Sequence, residues 1–335
     1  MLALTFRPNS VGDTPDELVD IALLVEQGRI GAGQALRLLR KADARAAQPP
    51  LNAQEDNRLE EALGELDSLI GLTEVKRLVR ELCAFVEIQK RRQAAALATE
   101  PLVLHMVFRG NPGTGKTTVA RILGKVFREM GVLQKGHLVE VERADLVGEY
   151  IGHTAQKTRE QIKRAMGGIL FIDEAYSLAR GGEKDFGKEA IDVLVKSMED
   201  HKDNLVLILA GYKDEMSRFL RTNPGLKSRF PIHIAFDDYS TSELLQICDL
   251  MLRQREYTMA PEARAELATA LDGQTGMAER LQGNARLVRN IIERAIRRQA
   301  VRLVAASECS RDALMTISAQ DLCEALCAET TSRSA

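Results

Sequence analysis

The chain has no excess of either charge. Its 46 Lys and Arg against 48 Asp and Glu leave a formal net charge of −2 over 335 residues, so no global field draws it to nucleic acid or to an anionic lipid surface. Long apolar runs are also missing. No stretch approaches the length of a spanning helix, and the start, MLALTFRPNS, has neither the basic leader nor the apolar run of a signal peptide. A cytoplasmic protein without a membrane partner is the expectation. Cysteine is sparse and odd in number, with five residues scattered at Cys83, Cys248, Cys309, Cys323 and Cys327, which excludes a disulfide framework. Cys323 and Cys327 stand one helical turn apart, but with no His or second pair nearby, simple burial as reduced thiols is the plainer reading than a metal site.

What is present is ordinary for a soluble globular chain, 45% hydrophobic and 28% charged, and long enough for a large α/β core and a smaller domain. Thr14-Pro15-Asp16-Glu17 opens a helix as a capping box with proline at its first position. A helical hairpin and linker are expected over residues 1–57, with the linker at Gln48 to Asn57. Helical periodicity runs from Leu59 to about Ala96 with a break at Leu69-Ile70-Gly71, and the texture then alternates between strands and helices. Strands are predicted at Leu102 to Phe108, His137 to Val141, Gly168 to Ile172, Leu205 to Ala210 and Ile232 to Phe236. The fold class is therefore α/β, a five-stranded parallel sheet covered on both faces over residues 58–238. After Asp238 the strands are expected to stop. Helices near 241–255, 261–271, 284–305 and 318–327 form a helical lid over residues 239–329, followed by a frayed tail at 330–335.

Gly110-Asn111-Pro112-Gly113-Thr114-Gly115-Lys116-Thr117 matches GxxxxGK[ST] in full, between a predicted strand and a predicted helix. Glycines let backbone N–H groups wrap phosphate oxygens, the helix N-terminus favours the anion, and Lys116 neutralises the terminal phosphates of ATP. Thr117 would ligate Mg²⁺, and Thr118 completes the phosphate-binding run. Gly168-Ile169-Leu170-Phe171-Ile172-Asp173-Glu174 is an apolar strand ending in two acids. Asp173 is placed at the metal and Glu174 beside the attacking water, which favours hydrolysis over transfer. The chain has no NKxD base-reading motif and no LSGGQ signature, so GTPases and transporter ATPases fall back.

Asn223-Pro224-Gly225-Leu226-Lys227-Ser228-Arg229-Phe230 resembles the arginine-finger box of AAA+ proteins. The resemblance implies that Arg229 reaches the γ-phosphate in a neighbouring subunit; by residue alone, a local carboxylate partner is the simpler account. Gly283-Asn284-Ala285-Arg286-Leu287-Val288-Arg289-Asn290 resembles sensor 2, implying Arg286, with Arg289 as runner-up, at the phosphates. Ile70-Gly71 resembles the element that packs on adenine. Tyr212, in Leu209-Ala210-Gly211-Tyr212, stands where many AAA+ proteins carry Asn or Thr as the first sensor. Tyr150-Ile151-Gly152 resembles the loop that grips polypeptide in a central pore, although Tyr150 as a buried loop anchor is the competing reading.

The runs KGHLVEVERADLVGEYIGHTAQKTREQIKRAMGGILFIDEAYSLARGGEKDFGKEAID and LILAGYKDEMSRFLRTNPGLKSRFPI are similar to the CbbX-type group of AAA+ proteins, and to its sporulation branch in particular. The likeness covers roughly residues 60 to 325 and leaves the first 50 aside. It implies a homo-hexameric ATPase remodelling a polypeptide in spore maturation, in the mother cell. Two other readings stay open. One is a red-type Rubisco activase, which needs a sugar-bisphosphate site for which no residues stand out. The other is a nucleotide-gated scaffold or nucleic-acid loader using Arg294, Arg297, Arg298 and Arg302, a stripe that also fits an ordinary solvated helix face.

Overall fold

The computed structural model describes residues 53–99, 102–150, 152–180, 186–222, 224–272, 283–305 and 310–332. The expected N-terminal hairpin lies outside them, as do Ile151, Asn223 and Cys309. The chain divides into two units, Met1–Arg58 and Leu59–Ala335, and the second holds everything that follows apart from the start of the first helix.

Among the described residues two helices, α1 (Ala53–Ser68) and α2 (Thr73–Ala94), precede the sheet. The first begins inside the stretch expected as linker. The break between them is where the sequence placed it, with Gly71 and Leu72 both at positive φ (65° and 54°). Five strands then form one sheet in the order β2-β3-β4-β1-β5: β1 (Met106–Gly110), β2 (Leu138–Val141), β3 (Ile169–Ile172), β4 (Val206–Gly211) and β5 (Ile232–Phe236). Every pairing is parallel.

The strands are apolar almost throughout because both faces are covered. Met106, Phe108, Ile169, Phe171, Ile208 and Phe236 point to one side, among residues of α1, α2 and α3 (Lys116–Glu129). Val107, Leu170, Ile172, Leu207 and Leu209 alternate to the other. There they meet α5 (His153–Ala165), α6 (Gly187–Asp200), α7 (Lys213–Thr222) and α8 (Pro224–Arg229). A one-turn helix, α4 (Arg143–Leu146), links β2 to α5.

Strand β1 begins at Met106 rather than at Leu102. Next to its start, the Leu207 N–H donates to the buried His105 imidazole at 3.1 Å, so a side chain takes a bond that a regular ladder would give to a carbonyl.

The lid comprises α9 (Thr241–Arg253), α10 (Pro261–Leu271), α11 (Asn284–Val304), α12 (Arg311–Met315) and α13 (Ala319–Ser332). Its entry is a capping box between Ser240 and Glu243. Strands do not stop at Asp238: β6 (Thr258–Met259) and β7 (Thr316–Ile317) pair in parallel. Such two-residue strands carry no periodicity to read. The buried Gln299 amide positions them, donating to the Ala313 and Thr316 carbonyls at 2.9 Å. The last helix continues past Thr330, where fraying was expected.

Candidate nucleotide site

The carboxyl ends of β1, β3 and β4 open onto one cleft, where the order of a parallel sheet changes direction and ligands bind. At the end of β1 the chain turns through Gly113 and Gly115, with φ of 75° and 94°, into the 14-residue helix α3. These left-handed angles favour glycine, which has no Cβ to clash. A methyl at Gly113 would land on the Gly283 carbonyl of the lid, and one at Gly110 on the Phe236 carbonyl. The loop is thus a backbone cradle whose open side faces the α3 N-terminus.

Lys116 lies over this cradle, donating to the Gly110 and Asn111 carbonyls at 2.9 and 2.7 Å. Burial pulls its pKa below the ordinary lysine value; Asp173 opposes that shift, Arg286 adds to it and Asp238 opposes it. A cation so placed, with positive Arg286 near it, suits a polyanion. Thr117, Thr118, Asp173 and Glu174 line the same cleft, with Gly211, Tyr212, Arg286 and Arg289 across it. Thr114 points away; it is buried and its hydroxyl donates to the Asn111 carbonyl at 2.8 Å, bracing the loop.

Glu174 adopts φ 46°, ψ 42°, a region uncommon for a side-chain-bearing residue and typical of functional turns. Its N–H donates to Asp173 Oδ1 at 2.9 Å. The chain then folds into the 3₁₀ turn Ala175–Ala179, leaving the Glu174 carboxylate exposed. Tyr176 sits beside it, its phenol pushed up to about 12 by burial and by Glu174. The Tyr176 ring lies 6.0 Å from that of Tyr212 and carries the Arg180 guanidinium over its face. Nothing in sequence spacing singled out this tyrosine.

The lid closes the other wall. Ile70 and Tyr239 both pack against the lid core, and a methyl on Gly71 would run into the Glu243 carboxylate and touch the Tyr239 ring. Burial and nearby Glu243 raise the Tyr239 phenol to about 12; its hydroxyl donates to the Thr114 carbonyl at 3.2 Å. Ile70 and Gly71 therefore stand at the junction of sheet and lid, close to the phosphate loop.

Arg229 and the described pore-loop residues Tyr150 and Gly152 lie away from the cleft. Arg229 pairs with Glu199 of its own chain: Nε donates to Oε1 at 3.0 Å. Tyr150 is 67% exposed, which removes the buried-anchor reading. Its ring meets His153 edge-on at 5.5 Å, and its carbonyl accepts the His153 N–H. Below it, buried Thr154 and Thr158 close the loop stem, Thr154 accepting the Gly148 N–H at 3.0 Å and Thr158 donating to the Leu146 carbonyl at 3.1 Å. Gly152, at φ 84° with open space around it, starts α5.

The arginine stripe of α11 is engaged within the lid. Arg302 donates to Asp321 Oδ1 and Oδ2 at 2.9 and 2.8 Å, and Arg298 lies 3.6 Å from Glu324. Burial alone would raise the Asp321 pKa, but hydrogen bonds from Arg302 and Ser318 outweigh it and hold the carboxyl below its usual range. Of the cysteines, Cys248 is buried whereas Cys323 and Cys327 are exposed, contrary to the burial expected of them.

Residues 106–238 match the family of ATPases associated with various cellular activities, and residues 240–332 match the AAA lid domain. Stage V sporulation protein K of Bacillus subtilis (strain 168) is 54% identical over 272 residues, 81% of this chain and 84% of that protein. Protein CbbX of Cereibacter sphaeroides is 49% identical over 274 residues, covering 80% and 87%.

The chain belongs to the CbbX-type AAA+ ATPases.

It is accordingly an ATP-hydrolysing, nucleotide-binding enzyme. A further CbbX-type relative, the chloroplastic ribulose bisphosphate carboxylase/oxygenase activase of Cyanidioschyzon merolae (strain NIES-3377 / 10D), is 46% identical over 283 residues, 82% of this chain and 96% of that one. The AAA+ fold is shared with solved structures. A point mutant of Thermotoga maritima RuvB gives a TM-score of 0.51 at 22% identity, over 78% of this chain and 72% of that one. The FIGL-1 AAA domain gives 0.53 at 16%, over 78% and 82%.

Sequence reasoning missed Tyr239, Asp238 and Asn284 at the junction. Asn284 was in view within the sensor 2 run, but its partners lie far off in sequence.

Proposed function

We propose that this ATPase assembles as a homo-hexameric ring in the cytoplasm and remodels a polypeptide that it grips with Tyr150. The observation that carries this reading is the exposed Tyr150 ring on a loop whose stem is braced by Thr154 and Thr158. A bulky apolar ring held in solvent needs no particular substrate sequence. Gly152 gives the loop a pivot and Ile151 adjoins the ring in sequence.

ATP enters with Mg²⁺. Thr117 and Asp173 line the cleft and have the oxygen ligands that Mg²⁺ takes. Mg²⁺ would supply charge neutralisation at the phosphates. Around it Lys116 and the loop N–H groups of Gly110 to Thr117 orient the phosphates, and Glu174 accepts a proton from the attacking water. Arg286 lies along the terminal phosphate and Tyr212 helps hold the water. Arg229 acts on a neighbouring subunit.

Spore maturation is the process we favour, in the mother cell, from the likeness to stage V sporulation protein K. Likeness to the Cyanidioschyzon activase supports Rubisco activation as the second reading. ATP-dependent restoration of activity to inhibitor-blocked Rubisco tells them apart.

The threading reading is tested with Tyr150→Ala and a chemically unfolded model polypeptide. The variant should keep its ATP affinity and lose the polypeptide-stimulated part of turnover. Stimulation equal to the parent's would sink the grip.

A further inference from the structure

The Asn284 carboxamide makes three hydrogen bonds between lid and sheet, using both of its donors. Its Oδ1 accepts the Tyr239 N–H at 3.0 Å. Its Nδ2 donates to Asp238 Oδ1 at 2.8 Å and to the Pro112 carbonyl at 3.3 Å. Next along the chain, the Ala285 N–H donates to the Gly113 carbonyl at 3.1 Å. Two successive carbonyls of the phosphate loop are thus held by the first residues of α11. On the far side Asn111 Nδ2 donates to Asp238 Oδ1 and Oδ2 at 3.0 and 2.8 Å, so Asp238 gathers amides from both ends of the junction.

The position admits little but asparagine. Asn284 is 8% exposed with φ 50°, a left-handed angle that asparagine tolerates better than most residues. Glycine would accept the angle but has no polar groups. Aspartate would lose both donors and bring a second carboxylate against Asp238. Arg286 follows two residues on, and its backbone N would lie 2.9 Å from a methyl placed on Gly113. No slack separates the loop from the residue facing the cleft.

We propose that Asn284 is a positioning residue that fastens the phosphate loop to the first turn of α11, so that nucleotide in the loop sets where Arg286 stands. This rests on placing Arg286 at the terminal phosphate. The tie then makes the lid respond differently to ATP and ADP, because only ATP offers Arg286 a third phosphate.

The test uses the full chain carrying Glu174→Gln to hold ATP, with Asn284→Gly, which keeps the backbone angle and removes the carboxamide. Amide exchange of residues 110–116 and 283–290 without nucleotide should rise about tenfold in both segments together. ATP affinity should fall about tenfold more than ADP affinity. Equal losses for ATP and ADP, or exchange that rises in one segment only, would overturn the tie. Asn111→Ala opens the exposed end of the same network and provides the same comparison should the glycine variant fail to fold. A smaller loss of ATP preference supports the proposal and an unchanged preference refutes it. Arg286→Ala, run in parallel, separates the premises. If it too leaves the preference intact, the placement of Arg286 fails and the proposal with it; if it alone abolishes the preference, only the tie fails. Polypeptide remodelling takes no part in either readout.

Discussion

Arg229 is held by Glu199 across the surface of its own chain: Nε donates to Oε1 at 3.0 Å, Nη2 reaches the same oxygen, and Nη1 donates to the Gly225 carbonyl at 2.9 Å. Glu199 is 60% exposed and Arg229 32%. An exposed pair of this kind is worth about 0–1 kcal/mol, whereas a finger at a transferring phosphate contributes on the order of 10³-fold or more in rate. Arg229 can therefore leave Glu199 at small cost.

Glu199→Gln should change ATP turnover by less than about fivefold, while Arg229→Ala lowers it by about 10³. Steady-state turnover at saturating ATP compares them, and equal losses would count against a finger that acts elsewhere. Mixing Arg229→Ala with Lys116→Ala subunits should restore part of the turnover; inactivity at every ratio argues against action between subunits.

Glu174→Gln should lower turnover by about 10² or more and keep ATP bound. Retained radiolabelled ATP after gel filtration is the readout. Persistent turnover would remove Glu174 from the water.

Two of the glycines at positive φ separate backbone conformation from contact. Gly113→Ala and Gly152→Ala each place a methyl at positive φ, at a cost of about 1–2 kcal/mol. At Gly113 the methyl also strikes the lid, whereas at Gly152 it meets nothing within 4 Å. Both should unfold earlier on heating, but only Gly113→Ala should lose ATP affinity. Equal ATP affinities would mean that the contact of loop and lid is dispensable.

Stability should fall with acid through His105. Burial lowers this imidazole to about 4 in the folded chain, against about 6.5 when unfolded. The unfolded state therefore binds more protons between those values, so this contribution is complete above about pH 6.5 and declines by roughly 3 kcal/mol down to pH 4. Urea melts at pH 7.5 and 5 read the slope. His105→Asn, which cannot titrate, should flatten it; an unchanged slope assigns the acid sensitivity to other groups.

The phosphate loop and the acids after β3 were legible because each is a run of consecutive residues whose chemistry is local. The sheet was legible for a similar reason, since burial on both faces leaves its strands mostly apolar, with Arg109, Glu140 and His233 as the exceptions. The junction was not. Asn111 meets Asp238 across 127 positions and Asn284 meets Pro112 across 172, and no spacing in one sequence pairs them. Arg229 shows the opposite limit: the finger box was readable, yet its Glu199 partner comes from α6, thirty positions away. The β6–β7 pair escaped because two residues cannot show a period, and the start of β1 because His105 replaces a backbone acceptor.

The clamp of Arg302 on Asp321 acquires a mechanical meaning once α11 is seen as a rod. Its 21 residues span about 30 Å at 1.5 Å per residue. One end touches the phosphate loop and the other is braced against α13. A rod held in this way tilts as a whole, and a 10° tilt about Asn284 would carry Val304 through about 5 Å. Val301 and Val304 are 67% and 89% exposed at that far end, so a tilt of the rod set at the phosphate loop would show as a larger movement of an apolar tip.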